Sequence, residues 1–186
     1  SLSHECSKGP MPMTRAVDVL EQMCAALARA HDLGVIHRDL KSDNIMLTSR
    51  GGRRDFVKIL DFGLAALARD PRLAPKGAVF GTPEYMSPEQ ARGERNLDGR
   101  VDVYACGVMM YESLVGKRPF LAPNYNALLL SIISTTPKSI REVRPATPPV
   151  LEQIVQRAMM KARDDRYPSA AHFMHELQAI QPARAV

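Results

Sequence analysis

The chain has 186 residues, of which 45% are hydrophobic and 24% charged, a composition that excludes an intrinsically disordered polymer and allows one domain with a buried core. Three scattered cysteines without a CxxC pair, no bilayer-length apolar run and no signal peptide predict a cytoplasmic protein with no membrane contact in this chain. The net charge of +5 comes from scattered basic residues without interleaved aromatics, which argues against a nucleic-acid partner.

The first predicted element is an amphipathic helix that follows a proline-punctuated opening. Its apolar residues recur at alternating spacings of three and four, which place them on one helical face. These residues are Val17, Leu20, Cys24, Leu27 and His31. Thr14 is the predicted N-cap, and Gly34 is placed to end the helix.

Two short strands are predicted next, at residues 44–48 and 56–60. The turn-rich sequence SRGGRRD separates them, so they are expected to pair as a hairpin. Residues 61–85 carry no persistent period, which predicts a long loop that is either functional or mobile.

The rest of the chain is predicted to be helical. Ser87, Pro88 and Gln90 form the pattern of a capping box with proline at the first helical position. Asp98 is the predicted cap of a helix that is apolar nearly all round, at residues 101–115, and such a helix is expected in the middle of its domain. Further helices are predicted at about 125–134, 149–161 and 169–180, so the fold class is mainly α with a small β-hairpin.

The stretch HRDLKSDN, residues 37–44, contains the candidate catalytic side chains. It places a carboxylate, an ammonium and an amide in one loop between a helix end and a strand start. This set suits phosphoryl transfer, in which a carboxylate orients an attacking hydroxyl, a cation neutralises the phosphoryl charge and an amide oxygen holds a metal ion. Asp61, after the second strand, supplies another carboxylate for Mg²⁺.

This constellation and the motifs after it resemble a eukaryotic-type (Hanks-type) serine/threonine protein kinase, most like the bacterial members. The motifs are His37-Arg38-Asp39 through Asn44, Asp61-Phe62-Gly63, the segment from Gly81-Thr82-Pro83 to Pro88-Glu89, Asp102 through Gly107, and Arg166. The resemblance implies a kinase C-terminal lobe at residues 1–180, with residues 181–186 as a short tail.

The resemblance also implies roles for individual residues. Asp39 is similar to the catalytic base, Lys41 to the residue that contacts the γ-phosphate, and Asn44 and Asp61 to the magnesium ligands. Met46 matches the position under the adenine ring, although an ordinary core role is equally compatible with it. The implied cofactors are ATP and Mg²⁺.

Other implied roles concern acceptor choice and the scaffold. Thr82 is expected to bond Asp39 and Lys41 and, with Lys41, to favour Ser or Thr over Tyr as acceptor; its alternative is a turn residue. Glu89 and Arg166 resemble a buried ion pair. Asp102 is expected to accept hydrogen bonds from the backbone near His37 and Arg38, and Phe62 is expected to stack with His37.

The sequence departs from the family pattern in two main ways. The match begins just past the expected hinge, with no Gly-rich loop or strand lysine before it, so the N-terminal lobe is the expected structural partner. Between Gly63 and Gly81 there is no Ser, Thr or Tyr to phosphorylate, so either that loop is ordered without phosphate, with Asp70 as the anion, or regulation lies elsewhere.

The expected function is therefore ATP-dependent phosphorylation of Ser or Thr hydroxyls in protein substrates. Without the N-terminal lobe, the 186-residue chain alone is expected to be nearly inactive. The alternative is a truncated, non-catalytic kinase that acts as a protein-interaction module. The sequence names neither the substrate nor the activating signal.

Overall fold

The computed structural model describes residues 1–62 and 83–180, except for the side chain of Arg53. These ranges contain eight α-helices and one two-stranded sheet. In chain order the elements are α1 (Leu2–Ser7), α2 (Met13–Asp32), β1 (Ile45–Arg50), β2 (Arg53–Ile59), α3 (Pro88–Ala91), α4 (Arg100–Val115), α5 (Tyr125–Ser134), α6 (Ile140–Val143), α7 (Pro149–Ala158) and α8 (Ala170–Ala179). The prediction of a mainly helical fold with one small hairpin is confirmed.

Helix α4 lies at the centre of the core. Every residue from Val101 to Val115 is buried, as the absence of a polar face in the sequence predicted. Helices α2, α7 and α8 pack against it. Gly116, in the left-handed conformation at φ 76°, ends the helix.

The helix predicted before the first motif is α2. The predicted apolar face is buried at Val17, Leu20, Cys24 and Leu27. The cap prediction is wrong, because α2 begins at Met13 with Pro12 at the N-cap and no side-chain cap. Thr14 therefore lies inside the first turn. Proline can take the cap position because its fixed φ suits the entry to a helix.

The hairpin prediction is confirmed, with a shorter turn than expected. β1 and β2 pair antiparallel, with Ile45 opposite Ile59 and Leu47 opposite Val57. The strands extend to Arg50 and Arg53, so that the turn consists of Gly51 and Gly52. Both glycines have positive φ, 57° and 78°, which a residue with a side chain rarely adopts.

The other helix boundaries follow the sequence with small shifts. The capping box at Ser87 and Gln90 is confirmed. Gly99 is the N-cap of α4, whereas the predicted cap, Asp98, accepts the amide hydrogen of Arg100 from one position earlier. α7 ends at Ala158, short of the predicted residue 161, because the chain then turns through residues whose carbonyls bond Arg166.

Short helices α1 and α6 have no counterpart in the sequence predictions. Helix α1 packs against β1 and against the 3₁₀ turn Ser42–Asn44, with Leu2 and Cys6 buried. It supports the loop that carries the HRDLKSDN motif. No helix within residues 1–62 and 83–180 combines the length and the apolar character needed to cross a membrane.

Candidate active site

The loop between α2 and β1 brings three of the proposed catalytic groups together. Lys41 Nζ lies 3.8 Å from Asp39 Oδ2, and both side chains are partly exposed to solvent, Asp39 at 32% and Lys41 at 26%. Asn44 donates from Nδ2 to the Asp39 carbonyl oxygen at 3.4 Å. A carboxylate and an ammonium thus lie close together and partly exposed, and the buried amide of Asn44 is bonded to the backbone of the same loop.

The buried carboxylate of Asp102 accepts hydrogen bonds from the backbone of this loop. It is 1% exposed, and its Oδ2 and Oδ1 accept the amide hydrogens of His37 and Arg38, each at 2.9 Å. The family resemblance implied these bonds, and the cost of burying a carboxylate in an apolar helix indicated that Asp102 has a partner. They fix the turn in which Arg38 adopts a positive φ of 66°, a strained conformation for a residue with a side chain.

His31 completes the same cluster. Its Nε2 lies 2.8 Å from Asp102 Oδ2, and its ring lies where a side chain on Gly99 would stand, 2.7 Å from an ideal Cβ there. The sequence predictions placed His31 only on the apolar face of α2. Its spacing from Leu27 gave no indication of a carboxylate partner 71 residues away.

Asp61 follows β2 and lies beside the catalytic loop. The amide of Leu60 donates to the carbonyl of Asn44 at 2.9 Å, so the two chain segments run next to each other at this point. His37 Nε2 bonds the Leu60 carbonyl at 2.9 Å, and the rings of His37 and Phe62 lie 4.9 Å apart, centre to centre. The predicted contact between His37 and Phe62 is confirmed.

The donor set at Asn44 and Asp61 fits a hard divalent cation. Because Asn44 Nδ2 is bonded to the Asp39 carbonyl, Asn44 Oδ1 is the atom left to bind a cation. Asp61 is exposed and supplies carboxylate oxygens. No cluster of three or more His, Cys, Asp and Glu occurs in the two described ranges, so a cation here would need ligands from nucleotide phosphates and water, the usual arrangement for Mg²⁺.

The structure leaves two predicted site residues without a defined role. Met46 is half-buried on β1 opposite Lys58, and its side chain lies on the other face of the hairpin from the fully buried Ile45. This position is compatible with both the adenine-contact and the core role. Thr82 and Asp70 lie outside the described residues, as does Gly63.

Glu89 and Arg166 form the ion pair that the sequence predicted. Nη1 and Nη2 of Arg166 each lie 2.7 Å from one carboxylate oxygen of Glu89, and both residues are buried. The arginine also donates to the carbonyls of Met160, Lys161 and Arg100. Burial raises the pKa of Glu89, but the hydrogen bonds and the charge of Arg166, together with weaker hydrogen bonds from the Glu89 backbone and Ser87, outweigh it, so that the net pKa is lowered.

A second buried carboxylate, Glu112, was not singled out in the sequence. It lies on α4 and accepts a 2.8 Å hydrogen bond from the hydroxyl of Tyr85, whose oxygen lies 2.7 Å from Ser42 Oγ. Burial raises the pKa of Glu112, and the bonds from Tyr85 and Arg118 oppose that effect. The argument applied to Asp102, that a carboxylate in an apolar helix needs a partner, would have identified it.

A family model described as "Protein kinase domain" matches residues 1–184. The serine/threonine-protein kinase Pkn1 of Myxococcus xanthus is 45% identical over 171 residues, 91% of this chain and 24% of Pkn1. The serine/threonine-protein kinase pkn3 of the same species is 42% identical over 181 residues, 94% of this chain and 33% of pkn3.

The fold has a counterpart among solved structures. A crystal structure of a double mutant of the Mycobacterium tuberculosis PknI kinase domain superposes with a TM-score of 0.68 at 21% identity, covering 96% of this chain and 61% of that one. At this identity the likeness establishes the fold alone. The chain spans about a quarter to a third of the length of the two Myxococcus relatives, 24% and 33%.

Proposed function

This chain belongs to the protein kinase domain family, and from that premise we propose that it is the C-terminal lobe of a serine/threonine kinase that transfers the γ-phosphoryl group of ATP to protein hydroxyls. The observation that supports the proposal is the proximity of Asp39, Lys41 and Asn44 in one loop, beside the end of β2, which Asp61 follows. In-line phosphoryl transfer requires such a set of side chains, whereas a loop with no catalytic role does not.

Each side chain has one task in the proposed reaction. The Asp39 carboxylate accepts a hydrogen bond from the acceptor hydroxyl, orients its oxygen and takes its proton as the new P–O bond forms. The bond from the γ-phosphorus to the bridging oxygen breaks, and ADP leaves. Lys41, 3.8 Å from Asp39, neutralises charge on the transferred group.

Asn44 and Asp61 would hold Mg²⁺ through Oδ1 and the carboxylate. When bound, Mg²⁺ neutralises the phosphate oxygens and aligns the chain of phosphates. The two residues keep their places because Asn44 is bonded to the Asp39 carbonyl and its own carbonyl accepts the amide of Leu60. The choice of Ser or Thr as acceptor rests on Lys41, two residues after the base, and on Thr82.

The structural partner that we propose for this lobe is an N-terminal lobe, which would supply the rest of the ATP site. Four apolar side chains near the catalytic loop form what we call the lobe-facing surface: Leu33, Val35, Leu60 and Phe62, exposed at 68%, 40%, 41% and 37%. Covering them with a second lobe would remove apolar area from water and would close the nucleotide cleft. The 186-residue chain alone is accordingly nearly inactive.

The test is an Asp39→Asn substitution in the longest natural reading frame that contains this chain. Transfer of radiolabelled phosphate from ATP to a generic Ser/Thr substrate should fall by about a hundred-fold or more, because general-base catalysis is lost. Asp43→Asn is the matched control, since Asp43 is exposed in the same loop and the substitution removes the same charge. Its activity should stay close to that of the wild type.

Two outcomes would contradict the proposal. Undiminished activity of the Asp39→Asn variant would remove the catalytic assignment, and a wild-type protein without any transferase activity would favour a non-catalytic interaction module. Robust turnover by the isolated 186-residue chain would contradict the requirement for an N-terminal lobe, while leaving the role of Asp39 intact.

A further inference from the structure

A chain of hydrogen bonds runs from the catalytic loop into the central helix. Ser42, which lies between Lys41 and Asn44, is 0% exposed, and its Oγ lies 2.7 Å from Tyr85 Oη. The Tyr85 hydroxyl donates to Glu112 Oε2 at 2.8 Å. Tyr85 and Glu112 are 2% and 6% exposed, so water does not compete for these bonds.

The direction of donation follows from the protons available. The phenol of Tyr85 has one proton, which it gives to the Glu112 carboxylate. The hydroxyl of Ser42 must then donate to the phenol oxygen, so that each bond polarises the next towards the carboxylate. Loss of any one hydroxyl leaves a buried partner without its hydrogen bond.

Arg118 anchors the far end of this chain. Its Nε lies 3.5 Å from Glu112 Oε1, and its Nη1 donates to Glu84 Oε1 at 2.8 Å. Its guanidinium lies over the Tyr85 ring, 5.4 Å from the ring centre. The Arg118 guanidinium therefore links Glu112 on helix α4 to Glu84 and to the ring of Tyr85.

We propose that the chain Ser42–Tyr85–Glu112 is a positioning device for phosphoryl transfer, which fixes the short turn that carries Lys41 and Asn44 against helix α4 and against the segment that begins at residue 83. The inference rests on the proposed function, since it names residues that act through the catalytic loop. Ser42, Tyr85 and Glu112 do not touch the reacting atoms in this arrangement. They are positioning residues.

The proposal explains why a polar chain is retained in a core of aliphatic side chains. Asp102 fixes the loop at the backbone of His37 and Arg38, before the base, and Ser42 fixes it after the base. Between these two attachments lie Asp39 and Lys41. Two fixed ends define where the carboxylate and the ammonium point, and displacements of about 1 Å at such groups cost up to a hundred-fold in rate.

The kinetic test uses Tyr85→Phe, which removes one oxygen and keeps the ring. In the natural reading frame that contains this chain, kcat should fall about ten- to a hundred-fold while KM for ATP changes much less, because Lys41 and Asn44 on the displaced turn act on the reacting phosphoryl group and its metal ion rather than on the rest of the nucleotide. Tyr104→Phe is the matched control. Tyr104, which lies on α4, is buried like Tyr85, but its hydroxyl has no hydrogen-bond partner within residues 1–62 and 83–180.

A double-mutant cycle separates positioning from general loss of stability. Ser42→Ala alone should lower kcat to a similar extent. The kcat of the Ser42→Ala/Tyr85→Phe double variant should be no lower than that of the less active single variant, because both substitutions remove the Ser42–Tyr85 hydrogen bond. Additive losses in log kcat, or an equal loss in Tyr104→Phe, would overturn the proposal. Restoration of most of the activity by Ser42→Thr, which keeps the hydroxyl, would support it.

A second measurement does not depend on activity. The amide of Asn44 donates to the carbonyl of Lys41 at 3.0 Å within the turn, and its hydrogen exchange should be about tenfold faster in Tyr85→Phe than in the wild type or in Tyr104→Phe. Unchanged exchange would overturn the inference even in an active enzyme. Faster exchange in a protein without transferase activity would keep the positioning chain and remove the proposed function.

Discussion

Three carboxylates are buried in the described part of this protein, and each is explained by the groups that face it. Asp102 accepts two backbone amides, Glu89 meets a guanidinium, and Glu112 accepts a phenol hydroxyl. The partners of Asp102 and Glu89 could be predicted because their motifs name both ends. The partners of Glu112 could not be predicted, since Tyr85 and Ser42 are separated from it by 27 residues or more and no local pattern links them, although its place in an apolar helix indicates that it needs a partner.

Glu89→Gln tests the energetic weight of the buried ion pair. The substitution leaves the Arg166 guanidinium, which is fully buried, without a counter-charge, so the free energy of unfolding should drop by about 3–5 kcal/mol. Glu94→Gln is the control, because Glu94 and Arg92 form an exposed pair at 3.6 Å whose removal should cost about 0.5 kcal/mol or less. Urea denaturation followed by circular dichroism measures both, and equal losses would contradict the prediction.

The lowered pKa of Glu89 also predicts an acid-dependent loss of stability. A carboxyl whose pKa is lower in the folded than in the unfolded chain stabilises the fold at pH values above its ordinary pKa of 4.5. That contribution disappears as the pH falls through the lower folded value. The difference in unfolding free energy between the wild type and Glu89→Gln should therefore shrink below about pH 4.5, and a constant difference would refute this.

Lys161 predicts a second rise of stability with pH, of the same sign as that of Glu89 but in the alkaline range. Burial first, and then the charges of Arg166 and Arg92, lower the pKa of its ammonium from 10.5 to about 8. The unfolded chain binds the proton more strongly between these values, so the stability supplied by this residue rises as pH increases from about 8 to 10.5. Subtracting the pH profile of Lys161→Met isolates this rise from the opposing ionisation of buried groups such as Cys6, whose pKa burial raises to about 11. A flat difference would contradict the prediction.

At the scale of elements, the long helices were predictable, whereas among the short ones only α3 was, because the capping box at Ser87 and Gln90 marks its start. Helices α2, α4 and α5 have 20, 16 and 10 residues, enough for an apolar face or an apolar cylinder to repeat. Helices α1 and α6 have 6 and 4 residues, too few for any periodicity. Their ends depend on local capping and on tertiary packing, which a pattern of apolar residues does not record.

Gly107 shows how closely two elements approach. An ideal Cβ at this position of α4 would lie 2.8 Å from Met159 Cγ and 2.9 Å from Ala158 Cβ at the end of α7. Gly107→Ala should therefore destabilise the protein by about 1–3 kcal/mol, although alanine favours helix. Gly107 is part of a motif in the sequence, but only the structure shows that its lack of a side chain allows the close approach of Ala158 and Met159.

A second substitution tests the steric origin of that loss. Ala158→Gly removes the methyl group that the new side chain would meet, so the double variant should regain part of the stability lost in Gly107→Ala. Thermal or urea unfolding of the two single variants and the double variant measures the coupling. Simple additivity of the two losses would show that the contact at Ala158 is not the cause.

At the scale of the whole molecule, the lobe-facing surface has a measurable consequence. Leu33, Val35, Leu60 and Phe62 are exposed in this chain, and large apolar patches at one place on a protein favour association. The isolated 186-residue chain should therefore self-associate at micromolar concentrations, and sedimentation velocity should detect species larger than 20.6 kDa.

Matched double variants locate the associating surface. Leu33→Lys with Val35→Lys places two charges on the lobe-facing surface and should shift the chain towards monomer. Leu121→Lys with Leu130→Lys changes two leucines that are exposed at 72% and 64% in or just before α5 and are not part of the lobe-facing surface, so this pair should leave association unchanged. A wild-type chain that sediments as monomer, or an equal effect of both pairs, would contradict the assignment. Addition of the natural N-terminal lobe should suppress the association in the same way as the first pair, because it would cover the same four side chains.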